Sequence, residues 1–534
     1  MFTSLFFPSP DAIKRPVLTL ICCLFSLLLA AQIATFKKTY GTAGDDEAQF
    51  VHVLSDSTFI VAGSTTAGNH GAADALLIKF DAAGNILWSA TYGGASSEFF
   101  KFILACSDGN FIAYGESRSF GTGSTDLYLV KFAPDGQLIW SRTYGGSNDE
   151  QASGGLCETP NGYLVSGATL SFGAGFWDVF VVNTGFDGVA QWAKRWGTSG
   201  GDGGGEPMLA ENGDVWVPGG CYVSSSNHNG ILMRIQPNGA LIEGKQFGGS
   251  TNEGNECLTP GGAGMTASSH TWVPAENGLH QQPWMMSYSL DGELAWSKRY
   301  KIPDGNYRIN AESCPDGGFI FTPNRNGADN DVAYLIKTDQ EGEVDWSFKY
   351  HFDGTGDMYH AMPCPDGGYV AVGYRNGAGR DIFLIKTNAN GLILNCRPEN
   401  ADIRSLSATP NTYSLSFSSF GAGGSVAANS QTAVQDLTTT TICSAGISSA
   451  FNPDQRTAPL AFMPNPANDF IQIQSPVDVK EFKLSCYNVW GQCLFAKQVV
   501  AGTQVDISAL PPGCYLIVAE DGLQGGYRGK LIKN

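Results

Sequence analysis

Two stretches of the chain gather side chains that could do chemistry. The first, "SSHTWVPAENGLHQQPWMM" (268–286), carries His270, Trp272, His280 and Trp284; the second, "YHFDGTGDMYHAM" (350–362), carries His351, Asp353, Asp357, Tyr359 and His360. Aromatic faces beside amides, imidazoles and carboxylates suit sugars, because a flat ring stacks on the apolar face of a pyranose while polar groups take its hydroxyls. His270, Trp272, His280, Trp284, Asp353, Asp357, Tyr359 and His360 are therefore the expected ligand-binding residues. A second set is acidic: Asp45–Asp46–Glu47, Glu98, Asp149–Glu150 and Glu253. Paired carboxylates perform acid–base work only when their environments split their pKa values. Repeated carboxylates more often cap turns or solvate a rim.

No established catalytic pattern accompanies either set. The sequence has no H-E-x-x-H, no G-x-S-x-G and no phosphate-binding loop. Its seven histidines are scattered, and no Cys/His spacing points to zinc. No D-x-D-x-D-G loop favours calcium. The expectation is no catalytic residue, no metal and no cofactor.

These residues are set within a repeat. "KFDAAGNILWSATYGG" (79–94) returns as "KFAPDGQLIWSRTYGG" (131–146). The turn glycine recurs as Gly84, Gly136, Gly188, Gly239, Gly292, Gly342 and Gly391, at spacings of 49 to 53. The aromatic four residues later is Trp88, Trp140, Trp192, Trp296 and Trp346, with Glu243 and Asn395 in the other two copies. An aromatic-Gly step closes each copy at Tyr40, Tyr92, Tyr144, Trp196 and Phe247, and persists as Tyr300 and Tyr350 without the glycine. Three anchors kept in phase through seven copies mark a repeat architecture. Each copy divides into four strand-like pieces, and a four-stranded sheet cannot bury both its faces alone. The predicted fold is all-β: a seven-bladed β-propeller over residues 35–396, with the recurring Trp packed between neighbouring blades. "FKKTY" (36–40) and "GLILNC" (391–396) compete for the strand that closes the last blade. By strand alternation the "YGGSNDE" crossings and the long loops share one face, the expected ligand side.

Composition excludes some partners. Of 534 residues, 32 are Lys or Arg and 50 Asp or Glu, a net charge of −18 that repels nucleic acid and anionic lipid. Residues 1–34 read as a signal peptide: Lys14 and Arg15 precede the apolar run "PVLTLICCLFSLLLAA" (16–31). Beyond it no stretch is apolar enough to span a bilayer. Residues 397–459 turn rich in Ser, Thr, Ala and Gly, and read as a small β appendage or linker with Cys396–Cys443 as a candidate disulfide.

Two resemblances follow. "YGGSNDEQASGGLCETPNGYLVSGATLSFG" (144–173) resembles the bacterial propeller repeat family known as SBBP, which implies a propeller and no particular chemistry. Residues 460–534, with "FMPNPANDFIQI", "YNVWGQCLFAKQ", "VDISALPPGCYLIVAED" and "GKLIKN", resemble the C-terminal sorting domain of the type IX secretion system of Bacteroidetes. The matching positions are Asn465, Pro466, Asn488, Gly491, Gly513, Tyr515, Lys530 and Lys533. That resemblance implies an Ig-like β-sandwich, the secretion machinery as partner, and a secreted or cell-surface location reached through the periplasm. A binding or adhesion protein for a glycan or an extracellular protein is the expected function. A polysaccharide hydrolase or lyase using carboxylates on the long-loop face, and a structural spacer without a small ligand, are the alternatives.

Overall fold

The computed structural model describes residues 34–445 apart from short interruptions, together with the strands of a C-terminal part within 461–533; residues 1–33 and 446–460 lie outside the described residues. The described residues form strands, turns and bends with no helix. The chain divides into two bodies, Met1–Gly446 and Ile447–Asn534.

In the N-terminal body each sequence repeat is an antiparallel meander. Repeat two shows the pattern: Glu98–Ala105, Phe111–Ser117, Asp126–Phe132 and Leu138–Tyr144 pair in chain order. The middle strands of such a sheet, "FIAYGES" and "DLYLVKF", are buried along their whole length. Neighbouring sheets cover both faces, so β-branched and aromatic residues fill them with little alternation. The outer strand Leu138–Tyr144 alternates because its far face meets solvent. Repeats six and seven share the 20-residue strand Val344–Pro363, whose first half pairs with Asn330–Thr338 and whose second half pairs with Tyr369–Asn376.

The three sequence anchors meet at the seams between repeats. Tyr144 of repeat two donates its hydroxyl to the carbonyl of Gly188 in repeat three, at 2.6 Å. Tyr92 does the same to Gly136, Tyr300 to Gly342 and Tyr350 to Gly391. Where the aromatic is Trp196 or Phe247, a lysine takes over: Lys194 Nζ reaches Gly239 O, and Lys245 Nζ reaches Gly292 O, both at 2.7 Å. Each recurring Trp crosses the same seam; the Nε1 of Trp88 donates to Pro134 O at 3.0 Å. The turn glycine is required twice over. Gly136 has φ +83°, and a Cβ there would sit 3.1 Å from the Trp88 ring.

The N-terminal strand Thr35–Gly41 pairs with Arg380–Thr387 and so supplies the fourth strand of repeat seven. Among the described residues of "GLILNC" the strand-like pairing is the isolated bridge Ile393–Cys396. From its place on repeat seven, Tyr40 donates to Gly84 O of repeat one at 2.5 Å. The succession of seam contacts therefore returns to the repeat where it began.

The glycine after the seam aromatic has its own reason. A Cβ on Gly145 would lie 2.1 Å from both Asp126 Oδ1 and Glu150 Oε2, which converge from adjacent repeats. Four acids at this point of the repeat are turn caps. Asp46, Glu98, Glu150 and Asp202 are buried and accept the backbone N–H four residues upstream, at 2.6, 2.8, 2.9 and 2.6 Å. Burial raises the carboxyl pKa of Asp126 and Asp202 to about 6.

Residues 399–445 add a strand to every repeat. Glu399–Asn400 pairs with Val344–Pro363, Arg404–Ser407 with Leu294–Lys301, Asn411–Ser414 with Leu241–Gly248, and Ser418–Gly421 with Ala190–Gly197. Ser425–Ala427 then pairs with Leu138–Tyr144, Gln431–Val434 with Ile86–Gly93, and Thr438–Ala445 with Thr35–Gly41. The segment passes the repeats in the order six, five, four, three, two, one, seven.

The C-terminal body holds a three-stranded sheet (Ala461–Met463, Phe470–Gln474, Gln504–Asp506) and a four-stranded one (Cys493–Val500, Glu481–Tyr487, Gly513–Glu520, Gly526–Lys533). Ile471, Leu484, Cys486 and Val505 are buried within it.

Candidate functional site

The first strand loses its regularity at one depth in six of the seven repeats. In repeats one, two, five and seven a register shift leaves one extra residue between paired neighbours: Gln49, Lys101, Glu256 and Tyr359. In repeats three and four the strand breaks instead, between Glu150–Gln151 and Leu156–Thr159 and between Asp202–Gly204 and Met208–Leu209. A bulge re-aims the extra side chain and stops pairing locally.

These irregularities surround a cavity of about 680 Å³. Gln49, Lys101, Gln151 and Ser153 line it from repeats one to three; Tyr222 and His228 from repeat four; His270, Trp272 and Gln281 from repeat five; Asn310 and Asn324 from repeat six; Tyr359 from repeat seven. Tyr222 and His228 stand opposite each other on the second and third strands of their repeat, Val215–Ser224 and Asn227–Ile235, near the ends that the hairpin joins.

Its chemistry is polar and close to neutral. Lys101 is the one lysine or arginine in the lining described, and Glu116 compensates it at 2.8 Å. Glu116 also accepts the backbone N–H of Ala152 at 2.8 Å. His228 Nδ1–H donates to Glu253 O at 2.7 Å, and its ring lies 4.6 Å from that of Tyr222. Burial raises the Tyr359 phenol well above its ordinary range, with Glu47 adding to the shift, so it acts as a neutral hydroxyl.

A layer of titratable groups accompanies the lining along the same strands. His360 Nε2 donates to Glu312 Oε1 at 3.0 Å, its Nδ1 accepts the N–H of Val51 at 3.4 Å, and its ring stacks on Phe50 at 3.9 Å. Burial lowers the pKa of His52 to about 4. Burial raises the Glu206 carboxyl well above its ordinary value, and the charge of Glu312 pushes the same way. Among the described residues no group of three His, Cys, Asp or Glu is placed to hold a metal.

The cavity brings together His270, Trp272 and Tyr359 of the residues singled out by sequence. Trp284 is buried elsewhere, with its Nε1 bonded to Ser297 Oγ at 2.6 Å. Asp353 is exposed and pairs with Lys37 at 2.7 Å, while Asp357 and His360 are buried outside the lining. His280 stands opposite Val273, and its side chain lies outside the described residues. Sequence reasoning missed Gln49, Lys101 and Ser153, although each is the third residue after the recurring acid at Asp46, Glu98 or Glu150. In the C-terminal body, Gly513 pairs with Lys533 and Lys530 with Leu516, while Tyr515 faces Leu531. Asn465, Pro466, Asn488 and Gly491 lie outside the described residues.

Comparison with known proteins decides the C-terminal segment. Residues 461–534 match the family model described as the secretion system C-terminal sorting domain. This segment is a sorting domain. It makes the chain a secreted or cell-surface protein and implies an interaction with the type IX secretion machinery. Over 241 residues the chain is 24% identical to the regulatory protein FlaEY of Caulobacter vibrioides, covering 39% of this chain and 24% of that protein. The chain therefore spans about a quarter of that relative's length. Among solved structures, PorZ, an essential surface component of the type IX secretion system of Porphyromonas gingivalis, aligns at TM-score 0.34 and 12% identity, over 90% of this chain and 58% of PorZ. An endo-1,5-alpha-L-arabinanase from Thermotoga petrophila aligns at TM-score 0.20 and 9% identity, over 66% of this chain and all of that one.

Proposed function

We propose that the N-terminal body is a seven-bladed β-propeller of the SBBP kind that binds a neutral carbohydrate in its central cavity. In this reading the C-terminal body is an Ig-like sandwich that directs the propeller to the cell exterior. The single observation that carries the ligand site is the recurrence of a bulge or break in the first strand of successive repeats. Three of them place the extra residue, Gln49, Lys101 or Tyr359, in the lining of one cavity.

The lining supports a sugar. Trp272 and Tyr222 supply flat faces, and Gln49, Gln151, Gln281, Asn310 and Asn324 supply amides that both donate and accept. The one lysine is already neutralised. Binding is favoured over turnover because the recurring carboxylates are taken up as turn caps, facing backbone N–H groups. The succession of seam contacts from repeat one back to repeat one supports the propeller.

The test is a glycan-array and polysaccharide-binding screen of the full chain, with product analysis on every hit and Trp272→Ala and Gln49→Ala as variants. Binding without product, weakened at least tenfold in Trp272→Ala, is the expected result. Ligands bound equally by both variants would place the site elsewhere, and release of oligosaccharides would make the protein an enzyme.

A further inference from the structure

The segment 399–445 makes a complete circuit. It gives one short strand to the exposed edge of each repeat, in steps of about seven residues. The steps land at one point of the repeat: Ser407 on Lys298, Ser414 on Lys245, Gly421 on Lys194, Ala427 on Arg142, Val434 on Ala90 and Thr441 on Lys38. An unpaired edge strand is a template for association with another chain, so the circuit covers a row of otherwise open backbone groups on every sheet.

Both ends of the circuit come to the same strand. Just before it begins, the N–H of Leu394 bonds the Oγ1 of Thr35 at 3.1 Å. At its end Cys443 stands opposite Lys37. Cys396, two residues after Leu394, is disulfide-bonded, whereas Cys106, Cys157, Cys221, Cys257, Cys314 and Cys364 of the same body are buried free thiols.

We propose that Cys396 is joined to Cys443, so that residues 396–443 form a covalently closed strap around all seven repeats, buckled over the N-terminal strand. Forming the bond oxidises two thiols, and their two protons and two electrons pass to a disulfide-exchanging oxidant in the exporting compartment. The strap holds Thr35–Gly41 against repeat seven from its outer side, and reduction releases that strand first. The inference rests on the closed order of the repeats proposed above. Its first readout is a covalent bond, so its failure is distinct from a failure of ligand binding.

The first experiment is peptide mapping of the unreduced full chain by mass spectrometry. A Cys396–Cys443 linked peptide is expected; Cys396 found linked to another cysteine overturns the proposal. The second compares hydrogen exchange and unfolding rate in Cys396→Ser, Cys443→Ser and the double variant. All three should unfold faster by the same factor, roughly tenfold or more, with protection lost first in 35–41. Should the variants fail to fold, mild reduction of the purified native protein gives the same readout, since the buried thiols described are already reduced. Unchanged protection of 35–41 after reduction overturns the lock.

Discussion

Asp126→Asn is expected to stabilise the protein at neutral pH. Asp126 is 1% exposed and sits at the seam between repeats two and three, across Gly145 from Glu150. Burial, the largest cause, raises its carboxyl pKa to about 6; the backbone N–H of Gly123 opposes the shift, and Glu150 adds to it. The unfolded chain titrates near 3.9. The folded state therefore holds this proton more tightly, and the group favours folding fully below about pH 4. That contribution is lost as pH rises through about 6. At pH 7.5 the ionised carboxylate costs about 1–3 kcal/mol. The upper figure is two pKa units at about 1.4 kcal/mol each, and the lower allows for solvent screening. Asparagine keeps an acceptor for the Gly123 N–H, which lies 3.3 Å from Oδ2, and carries no charge. Urea denaturation of both proteins from pH 4.5 to 8 should give curves that converge toward the acid end, separate as pH rises to about 6 and stay apart above it, with the variant more stable. Curves parallel across the whole range, or a variant weaker at pH 8, would refute the account of the seam.

Two further substitutions probe the same architecture. Gly145→Ala puts a methyl group 2.1 Å from two buried carboxylate oxygens, so it should cost at least about 3 kcal/mol in chemical denaturation, through displaced charge-assisted caps. Tyr144→Phe leaves the 2.6 Å bond to Gly188 O unmade and should cost about 1–3 kcal/mol, with the same m-value as the wild type. A Tyr144→Phe protein as stable as wild type would mean that the seam is held by packing alone.

The period, the strand content and the seam were legible because their causes are side chains. The turn glycine, the Trp and the Tyr recur since all three meet in one place, and that place recurs. The strap was not legible as a strap. Its contacts are backbone hydrogen bonds, which leave little side-chain pattern in a Ser/Thr/Gly-rich stretch. The weak signal available was Leu406, Tyr413 and Phe420, large residues seven apart, with Leu415 and Phe417 blurring the period. The cavity was half legible. His270 and Trp272 stood out because they depart from the repeat, and as residues i and i+2 they share a strand face. Trp284 departs from it equally but pairs with Ser269, on the opposite face, and packs inward. Gln49 and Lys101 keep the repeat's phase and differ only in type, and a bulge is an event of backbone pairing that composition does not encode.

The first described strand of the chain, Thr35–Gly41, completes the seventh repeat. Lys38 pairs with Leu384, so this contact spans almost the whole N-terminal body, and its closure entropy must be met before the pairing gives anything back. During synthesis, residues 35–41 emerge ahead of all seven repeats and then wait, unpaired, until the strand Arg380–Thr387 has followed. Folding of this body is thus not vectorial: its earliest residues are consumed in one of its latest steps. Moving them to follow Thr387 by circular permutation would turn the slow, long-range pairing into a local hairpin while leaving every sheet intact.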